Sequence, residues 1–336
     1  MTPAIFGLSG LSINADERAF FRECRPAGYI LFGRNIKSRS QLRALTDELR
    51  ALDGRDHLPI LIDQEGGRVA RMKGPEWPEF PSGATFDALY ERAPASAIEA
   101  ARLNAMALAA MLAEVGITVD CLPLLDVRQP GASDVIGDRA LGSEPMRVAA
   151  LGRAILSGLQ AGGVLGVVKH IPGHGRAAFD SHEKVSRVAA SDLDLQSDLA
   201  PFAALRDAAM AMTCHVVFEA WDKENPATLS PYIIQTIIRD HVGYPGLLMT
   251  DDIDMKALSG NVADLSAQAI AAGCDIVLNC WGKMDDMVGI ANAVGSISDI
   301  SQGRLETAMQ RLNGQVDPRD LNSLLDQRNA LLAAAA

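Results

Sequence analysis

The chain passes from an apolar, β-branched segment into a polar, glycine-rich loop at Val164-Leu165-Gly166-Val167-Val168-Lys169-His170-Ile171-Pro172-Gly173-His174-Gly175. The first five residues are typical of a buried strand, and the Pro and Gly that follow argue against a helix. Asp180-Ser181-His182 comes soon after, so three of the six histidines fall within thirteen residues. Titratable residues on a loop directly after a strand are where α/β enzymes carry their chemistry. We therefore predict that this segment is catalytic.

Strand-like and helix-like patterns alternate along the whole chain. Apolar strands are predicted at residues 4–8, 29–32, 59–63, 118–122, 164–169, 211–216, 246–250 and 275–278. Helical patterns lie between them, including an alanine-rich helix that the capping box Ser96-x-x-Glu99 is expected to begin. This rhythm predicts an α/β fold, a single (β/α)8 TIM-type barrel, although alternation alone also fits a doubly wound open sheet.

One catalytic barrel domain is expected to span residues 1–336. Residues 303–336 keep a leucine-rich helical spacing after the last predicted strand, which predicts a C-terminal helical extension.

Polar residues follow three of the predicted strands. Asp63-Gln64-Glu65-Gly66-Gly67-Arg68 follows the third strand, Lys169-His170 the fifth and Asp251-Asp252 the seventh. The carboxyl ends of all strands meet at one face of a barrel, which is where barrel enzymes bind their substrates. The barrel hypothesis therefore brings three distant motifs into one cleft.

Composition argues against several classes of partner. The chain has a net charge of −11 and no Lys/Arg run, so it lacks the positive face that nucleic acid requires. The N-terminus lacks the pattern of a signal peptide, and no apolar run approaches the roughly 18 residues of a membrane span. The five cysteines are scattered, as is typical of reduced thiols. We expect a cytoplasmic monomer that acts on a small-molecule substrate without nucleic acid or membrane partners.

The segment Gly246-Leu247-Leu248-Met249-Thr250-Asp251-Asp252 delivers a carboxylate at the end of an apolar strand. Asp251 in that position suits a covalent nucleophile, a metal ligand or a general base. The alternative is a purely structural helix N-cap, and with two adjacent aspartates both roles are open.

In an extended Asp180-Ser181-His182 stretch, residues two apart point the same way, so the Asp180 carboxylate can orient the His182 imidazole. A histidine held in this way is a good proton shuttle. A surface loop and a metal site of His170, His174 and His182 are the alternatives, but Pro172-Gly173 prevents the helix that would pair the first two ligands. We expect no metal ion and no cofactor.

The third motif, Asp63 to Arg71, supplies carboxylates and guanidinium groups that suit bidentate hydrogen bonding to vicinal hydroxyls, carboxylates or phosphates. A structural salt-bridge network is the alternative.

The motifs together resemble the bacterial β-N-acetylglucosaminidases of glycoside hydrolase family 3. The resemblance lies in Ile62-Asp63-Gln64-Glu65-Gly66-Gly67-Arg68-Val69-x-Arg71, Lys169-His170-x-Pro172-Gly173-His174-Gly175, Asp180-Ser181-His182 and Thr250-Asp251-Asp252, in the family's order. The chain departs from the family at Ile171, where an aromatic residue is common, and at Ile253-Asp254, where a Leu-Ser pair is common.

This resemblance implies a TIM-barrel enzyme, cytoplasmic in Gram-negative bacteria, that removes terminal GlcNAc from muropeptide fragments during peptidoglycan recycling or from chitooligosaccharides. It implies that Asp251 is the nucleophile of a retaining mechanism and that His182, held by Asp180, is the acid/base. It also implies that the sugar is bound by Asp63, Arg71, Arg139, Lys169 and His170. The loop over residues 170–187 is expected to move and to close over the sugar.

Four alternatives remain open from sequence. They are attack by the substrate's own acetamide, phosphorolysis, a non-catalytic sugar-binding barrel and a metal-dependent hydrolase. If His182 is not the proton donor, Glu65 or Asp252 is the next candidate.

Overall fold

The structure is a computed structural model that describes residues 1–178, 185–314 and 316–334. The strands in chain order are β1 (Thr2–Gly7), β2 (Pro26–Leu31), β3 (Ile60–Ile62), β4 (Val119–Asp120), β5 (Leu165–Ile171), β6 (Ser186–Val188), β7 (Met210–Thr213), β8 (Val216–Phe218), β9 (Leu247–Asp252) and β10 (Ile276–Asn279). The helices are α1 (Ala15–Cys24), α2 (Arg39–Asp53), α3 (Gly83–Arg92), α4 (Pro94–Glu114), α5 (Pro145–Ala161), α6 (Asp192–Ala204), α7 (Val262–Ala272), α8 (Met284–Val294), α9 (Asp299–Gln310) and α10 (Leu321–Ala334). A π-helix spans Ile233–His241, and short 3-10 helices lie at Gly33–Asn35, Gly137–Arg139, Ala227–Leu229 and Arg311–Asn313.

Eight of the strands close into a parallel barrel in the order β1-β2-β3-β4-β5-β7-β9-β10. The two remaining strands, β6 and β8, pair with each other in a small sheet outside the barrel. Each of the eight predicted strands overlaps one barrel strand, and closure excludes the doubly wound sheet. The predicted TIM-type barrel is therefore confirmed.

Along each barrel strand, successive side chains point alternately into the barrel and toward the surrounding helices, so the hydrophobic core has two parts. In β1, for example, Ile5 belongs to a cluster inside the barrel, whereas Ala4 and Phe6 pack with the surrounding helices. This is the period-two pattern of a strand that is buried on both faces.

The C-terminal extension is helical, as predicted, but it begins at Asp299 and consists of two helices. Leu305, Ala308 and Met309 of α9 join the cluster inside the barrel. The same cluster contains Ala27 and Leu247, which lie at the amino ends of their strands. Helix α9 therefore closes the amino end of the barrel, opposite the face expected to carry the chemistry.

Two sequence expectations about the alanine-rich helix α4 were wrong. The helix begins at Pro94 rather than behind a Ser96 cap, because proline fits the first helical position, where no N–H is needed. Its length and hydropathy would also suffice to cross a membrane, so the expectation that no segment approaches a span was incorrect. Within the fold, 67% of its most apolar window is buried, as in the core helix of a globular protein.

Candidate active site

A cavity of about 460 Å³ lies at the carboxyl end of the barrel strands. The residues that line it include Asp63, Arg71, Arg139, Lys169, His170 and Asp251, which are all the predicted site residues that the structure describes. The predicted acid/base residues Asp180 and His182 lie outside the described residues. The barrel thus brings the three motifs into one cleft, because parallel strands direct their carboxyl ends to the same face.

An ion cluster forms one wall of this cavity. Lys169 Nζ lies 3.1 Å from Asp63 Oδ1 and 2.7 Å from Glu65 Oε1, and Arg71 Nη2 lies 3.1 Å from Asp63 Oδ2. Arg139 completes the cluster with two hydrogen bonds of 2.8 Å to the two oxygens of Glu65. The cluster holds two carboxylates and three cations, so it carries one net positive charge and several oriented donors toward the cavity.

Burial and ion pairing shift the pKa values of these groups in opposite directions. Burial on its own raises the pKa of Asp63, but the charges of Lys169 and Arg71 outweigh it and hold that pKa below its ordinary value. Burial likewise lowers the pKa of Lys169, but Glu65 and Asp63 raise it on balance. Glu65 is also held below its ordinary pKa by Lys169 and Arg139 against the effect of burial. All three groups are therefore ionised at neutral pH.

Asp251 lies on the strand β9, which continues through Asp252. The helix that follows, α7, is capped by Asn261, so Asp251 is not a helix N-cap. Its Oδ1 accepts a hydrogen bond of 2.8 Å from the Asp252 N–H, and its Oδ2 lies 4.0 Å from His170 Nε2. Burial favours a raised pKa, but the neighbouring His170 and His215 lower the pKa of Asp251 on balance. Asp251 is thus an ionised carboxylate that faces the cavity.

Its neighbour Asp252 has the opposite electrostatic character. Burial raises the pKa of Asp252 to about 6, although the Cys280 N–H donates to its Oδ1 at 3.1 Å. Two adjacent carboxyl groups therefore differ in pKa, and Asp251 is the one that stays anionic as the pH falls below 6.

The sequence prediction missed Asp126, which holds His170 from behind. Asp126 is fully buried, and its Oδ2 lies 2.7 Å from His170 Nδ1. Its Oδ1 accepts from the backbone N–H groups of His170 at 3.2 Å and His174 at 2.6 Å. The signal was present in Leu124-Leu125-Asp126, an apolar run after the fourth strand that ends in a carboxylate, as the run to Asp251 does.

A second missed residue is the buried His215, which follows β7. Its Nε2 lies 2.9 Å from the Asp252 carbonyl oxygen, which can only accept, so Nε2 donates. Its Nδ1 lies 2.8 Å from the Thr228 hydroxyl. His215 therefore braces the backbone next to Asp251 from beneath.

His174 does not share a metal site with His170 among the described residues, where no group of three His, Cys, Asp or Glu side chains is placed to hold an ion. Burial, together with the nearby charge of His170, lowers the pKa of His174 to about 4. His174 is accordingly a neutral, structural histidine at pH 7. The third candidate ligand, His182, lies outside the described residues.

The closed barrel with a charged cavity at the carboxyl end of its strands is the architecture of a TIM-barrel enzyme. Residues 5–314 match the family model of the glycosyl hydrolase family 3 N-terminal domain. The chain belongs to glycosyl hydrolase family 3.

Its relatives share a common activity name. The chain is 38% identical over 283 residues to a beta-hexosaminidase of Alkalilimnicola ehrlichii, and the aligned region covers 83% of this chain and 80% of the relative. It is 36% identical over 316 residues to a beta-hexosaminidase of Aromatoleum aromaticum, and this alignment covers 92% of this chain and 87% of the relative. Among solved structures, NagZ from Neisseria gonorrhoeae in complex with N-trifluoroacetyl-D-glucosamine is 28% identical, with a TM-score of 0.87 over 100% of this chain and 98% of that chain.

Proposed function

We propose that this protein is a retaining exo-β-N-acetylglucosaminidase that releases terminal GlcNAc from muropeptide fragments. The observation that carries the proposal is the position of Asp251 at the end of β9, where its carboxylate lines the same cavity as the Asp63–Lys169–Glu65 ion cluster. The similarity to beta-hexosaminidases supports GlcNAc as the sugar, and the N-acylglucosamine bound to the related NagZ structure supports it further.

The ion cluster suits recognition of the non-reducing end of a sugar. Asp63, Arg71 and Lys169 offer acceptors and donors side by side, as vicinal hydroxyls require. Because these groups already hold one another in place, little reorganisation is needed when the sugar hydroxyls bind. Arg139 and His170 complete the set of expected sugar contacts at the cavity wall.

In the first step the Asp251 carboxylate attacks the anomeric carbon, and the bond from that carbon to the leaving oxygen breaks. His182 donates a proton to the leaving oxygen, which departs as an alcohol and leaves a glycosyl–Asp251 ester. In the second step His182 accepts a proton from water as the water oxygen attacks the same carbon, which releases GlcNAc and restores the Asp251 carboxylate. The role of Asp180 in this scheme is to orient the His182 imidazole.

The described residues bear on the two alternative proton donors. Glu65 is paired with both Lys169 and Arg139, so it is poorly suited to hold a transferable proton. Asp252, with its pKa near 6, remains the second candidate after His182.

The proposal includes hydrolysis without metal or cofactor, and a cytoplasmic monomer. Chitooligosaccharides are the alternative source of the same terminal sugar.

Hydrolysis of matched aryl β-GlcNAc and aryl β-glucoside substrates without added metal tests this function. We expect a large preference for GlcNAc, because polar groups that pair with the acetamide are left unpaired when only a hydroxyl arrives. Asp251→Asn should abolish turnover of the GlcNAc substrate. Equal kcat/KM values for the two glycosides contradict the assignment to GlcNAc, and full inhibition by EDTA contradicts the metal-free mechanism.

A further inference from the structure

One aromatic side chain stands exposed at the mouth of the cavity. Trp281 follows β10 and is 54% exposed, whereas Phe32, the other aromatic residue among the described lining residues, is half-buried. An indole ring offers a large apolar face and a polar edge, a combination that suits a ligand with apolar and polar sides.

The backbone on either side of Trp281 is fixed. The Cys280 N–H donates to Asp252 Oδ1 at 3.1 Å, and the Cys280 carbonyl accepts a hydrogen bond from the Arg34 guanidinium. Gly282 has a φ of +68° and packs so tightly on the end of β1 that a Cβ there would lie 2.7 Å from the Leu8 carbonyl carbon. The segment that carries Trp281 is thus held to its neighbours before any ligand binds.

The side chain is also held from outside the cavity. Lys283 Nζ lies 6.0 Å from the centre of the Trp281 ring, within the range of a cation–π contact. Asp254 pairs with the same ammonium group at 2.7 Å. Trp281 remains 54% exposed although Lys283 contacts its ring.

The two ends of the cavity differ in chemistry. The inner wall carries the ion cluster, in which Lys169 is only 2% exposed, whereas Trp281 stands at the outer edge. An exo-acting enzyme places the terminal sugar against the inner wall, so the leaving group extends toward the edge. A pyranose ring has an apolar face of C–H groups and a rim of hydroxyls.

We propose that Trp281 forms a leaving-group subsite, in which the indole packs against the apolar face of the sugar linked to the terminal GlcNAc. The ligand class is a β-linked pyranose in the leaving-group position, and the inference rests on the proposed function. It makes Trp281 a determinant of leaving-group specificity.

Fluorescence titration of the inactive Asp251→Asn protein tests the contact directly. Titration with the β-1,4-linked GlcNAc disaccharide should shift the tryptophan emission, whereas GlcNAc alone should not. The shift should disappear when Trp281→Phe is added. It should persist with Trp221→Phe, a matched control, because Trp221 packs on Phe218 and lies outside the cavity lining.

Kinetics provide a second measurement. Trp281→Ala should lower the ratio of kcat/KM for the disaccharide to kcat/KM for methyl β-GlcNAc by about tenfold, the fold-change that corresponds to ~1.4 kcal/mol. Tyr232→Ala, which removes an aromatic residue that is also half exposed but outside the cavity lining, should leave this ratio within about twofold, under ~0.5 kcal/mol.

Each other outcome overturns the inference. If GlcNAc alone produces the Trp281 signal, the indole contacts the terminal sugar or its acetamide rather than the leaving group. If neither sugar produces it while the wild type hydrolyses aryl β-GlcNAc, the subsite is absent and the proposed function stands. If the wild type hydrolyses no β-GlcNAc substrate, the proposed function fails and the subsite fails with it.

Discussion

Asp126 and His170 form a buried hydrogen bond of 2.7 Å directly behind the candidate nucleophile. The Asp126 carboxylate can only accept, so His170 Nδ1 carries the proton and Nε2 faces Asp251, 4.0 Å away. The same carboxylate accepts from two backbone N–H groups, that of His170 near the end of β5 and that of His174 in the loop after it. One side chain therefore fixes both the ring and the backbone that support Asp251.

Asp126→Asn should reduce kcat/KM for aryl β-GlcNAc by roughly 10- to 100-fold, since a hydrogen bond to a charged group contributes about 1.5–3 kcal/mol. Steady-state kinetics on protein with an unchanged circular dichroism spectrum measure the effect. Asp275→Asn is the matched control, because Asp275 is also a buried, paired carboxylate but lies outside the cavity lining. Equal loss of activity in both variants contradicts a specific role for Asp126.

Asp251 should become covalently labelled by a mechanism-based fluorinated GlcNAc analogue. Mass spectrometry should locate the added mass on the peptide that contains residues 249–255. Asp251→Ala should keep the fold and lose activity by more than about 10³-fold, as expected for a group that forms a covalent intermediate. Full turnover without label on any carboxylate favours attack by the acetamide of the substrate.

The proposed acid/base role predicts a dependence on the leaving group. His182→Ala should be severely impaired, by roughly 10²–10⁴-fold, on substrates with poor leaving groups. It should be much less impaired where a nitrophenolate departs without a proton. Asp180→Asn should change activity in the same direction, since the imidazole is then less basic and badly oriented. If His182→Ala slows glycosylation equally for both leaving groups, Asp252 becomes the proton donor to test.

His174 predicts a pH-dependent contribution to stability. Its pKa is about 4 in the folded protein and about 6.5 in the unfolded chain, so the unfolded state binds the proton more tightly. Above pH 6.5 His174 is neutral in both states and the free energy of unfolding is at its full value. As the pH falls from 6.5 toward 4, protonation of His174 in the unfolded chain lowers the free energy of unfolding by about 3 kcal/mol in all.

Urea unfolding of the wild type and of His174→Asn across pH 4–7 measures this difference. The raised pKa of Asp252 acts in the opposite direction over part of the range, but it is common to both proteins and cancels in the comparison. Parallel stability curves for the two proteins contradict the prediction.

The barrel and most of the cavity could be predicted from the sequence because the signal is periodic and local. Each strand is a short apolar run, and the residues just after it, such as Asp63, Lys169 and Asp251, must meet at the same face. Knowledge of the strand order was not needed to place them together.

The supporting residues were harder to predict, because their position relative to a strand end and their partners are not evident from the local pattern. Asp126 follows a strand of only two paired residues, Val119–Asp120, and its partner His170 is 44 positions away. His215 falls within the predicted strand 211–216, whereas β7 ends at Thr213, so the pattern did not place His215 at a strand end. The start of α4 was misplaced because a proline at the first position and a serine cap two residues later are both plausible helix beginnings.

Side chains fill the barrel interior and α9 closes its amino end, so among the residues that the structure describes no passage leads from the cavity through the barrel. A sugar that enters the cavity has to leave through the opening by which it came. The enzyme therefore cannot advance along a polymer while holding on to it. Each cleavage is a separate encounter, and free GlcNAc competes with the next substrate for the same opening.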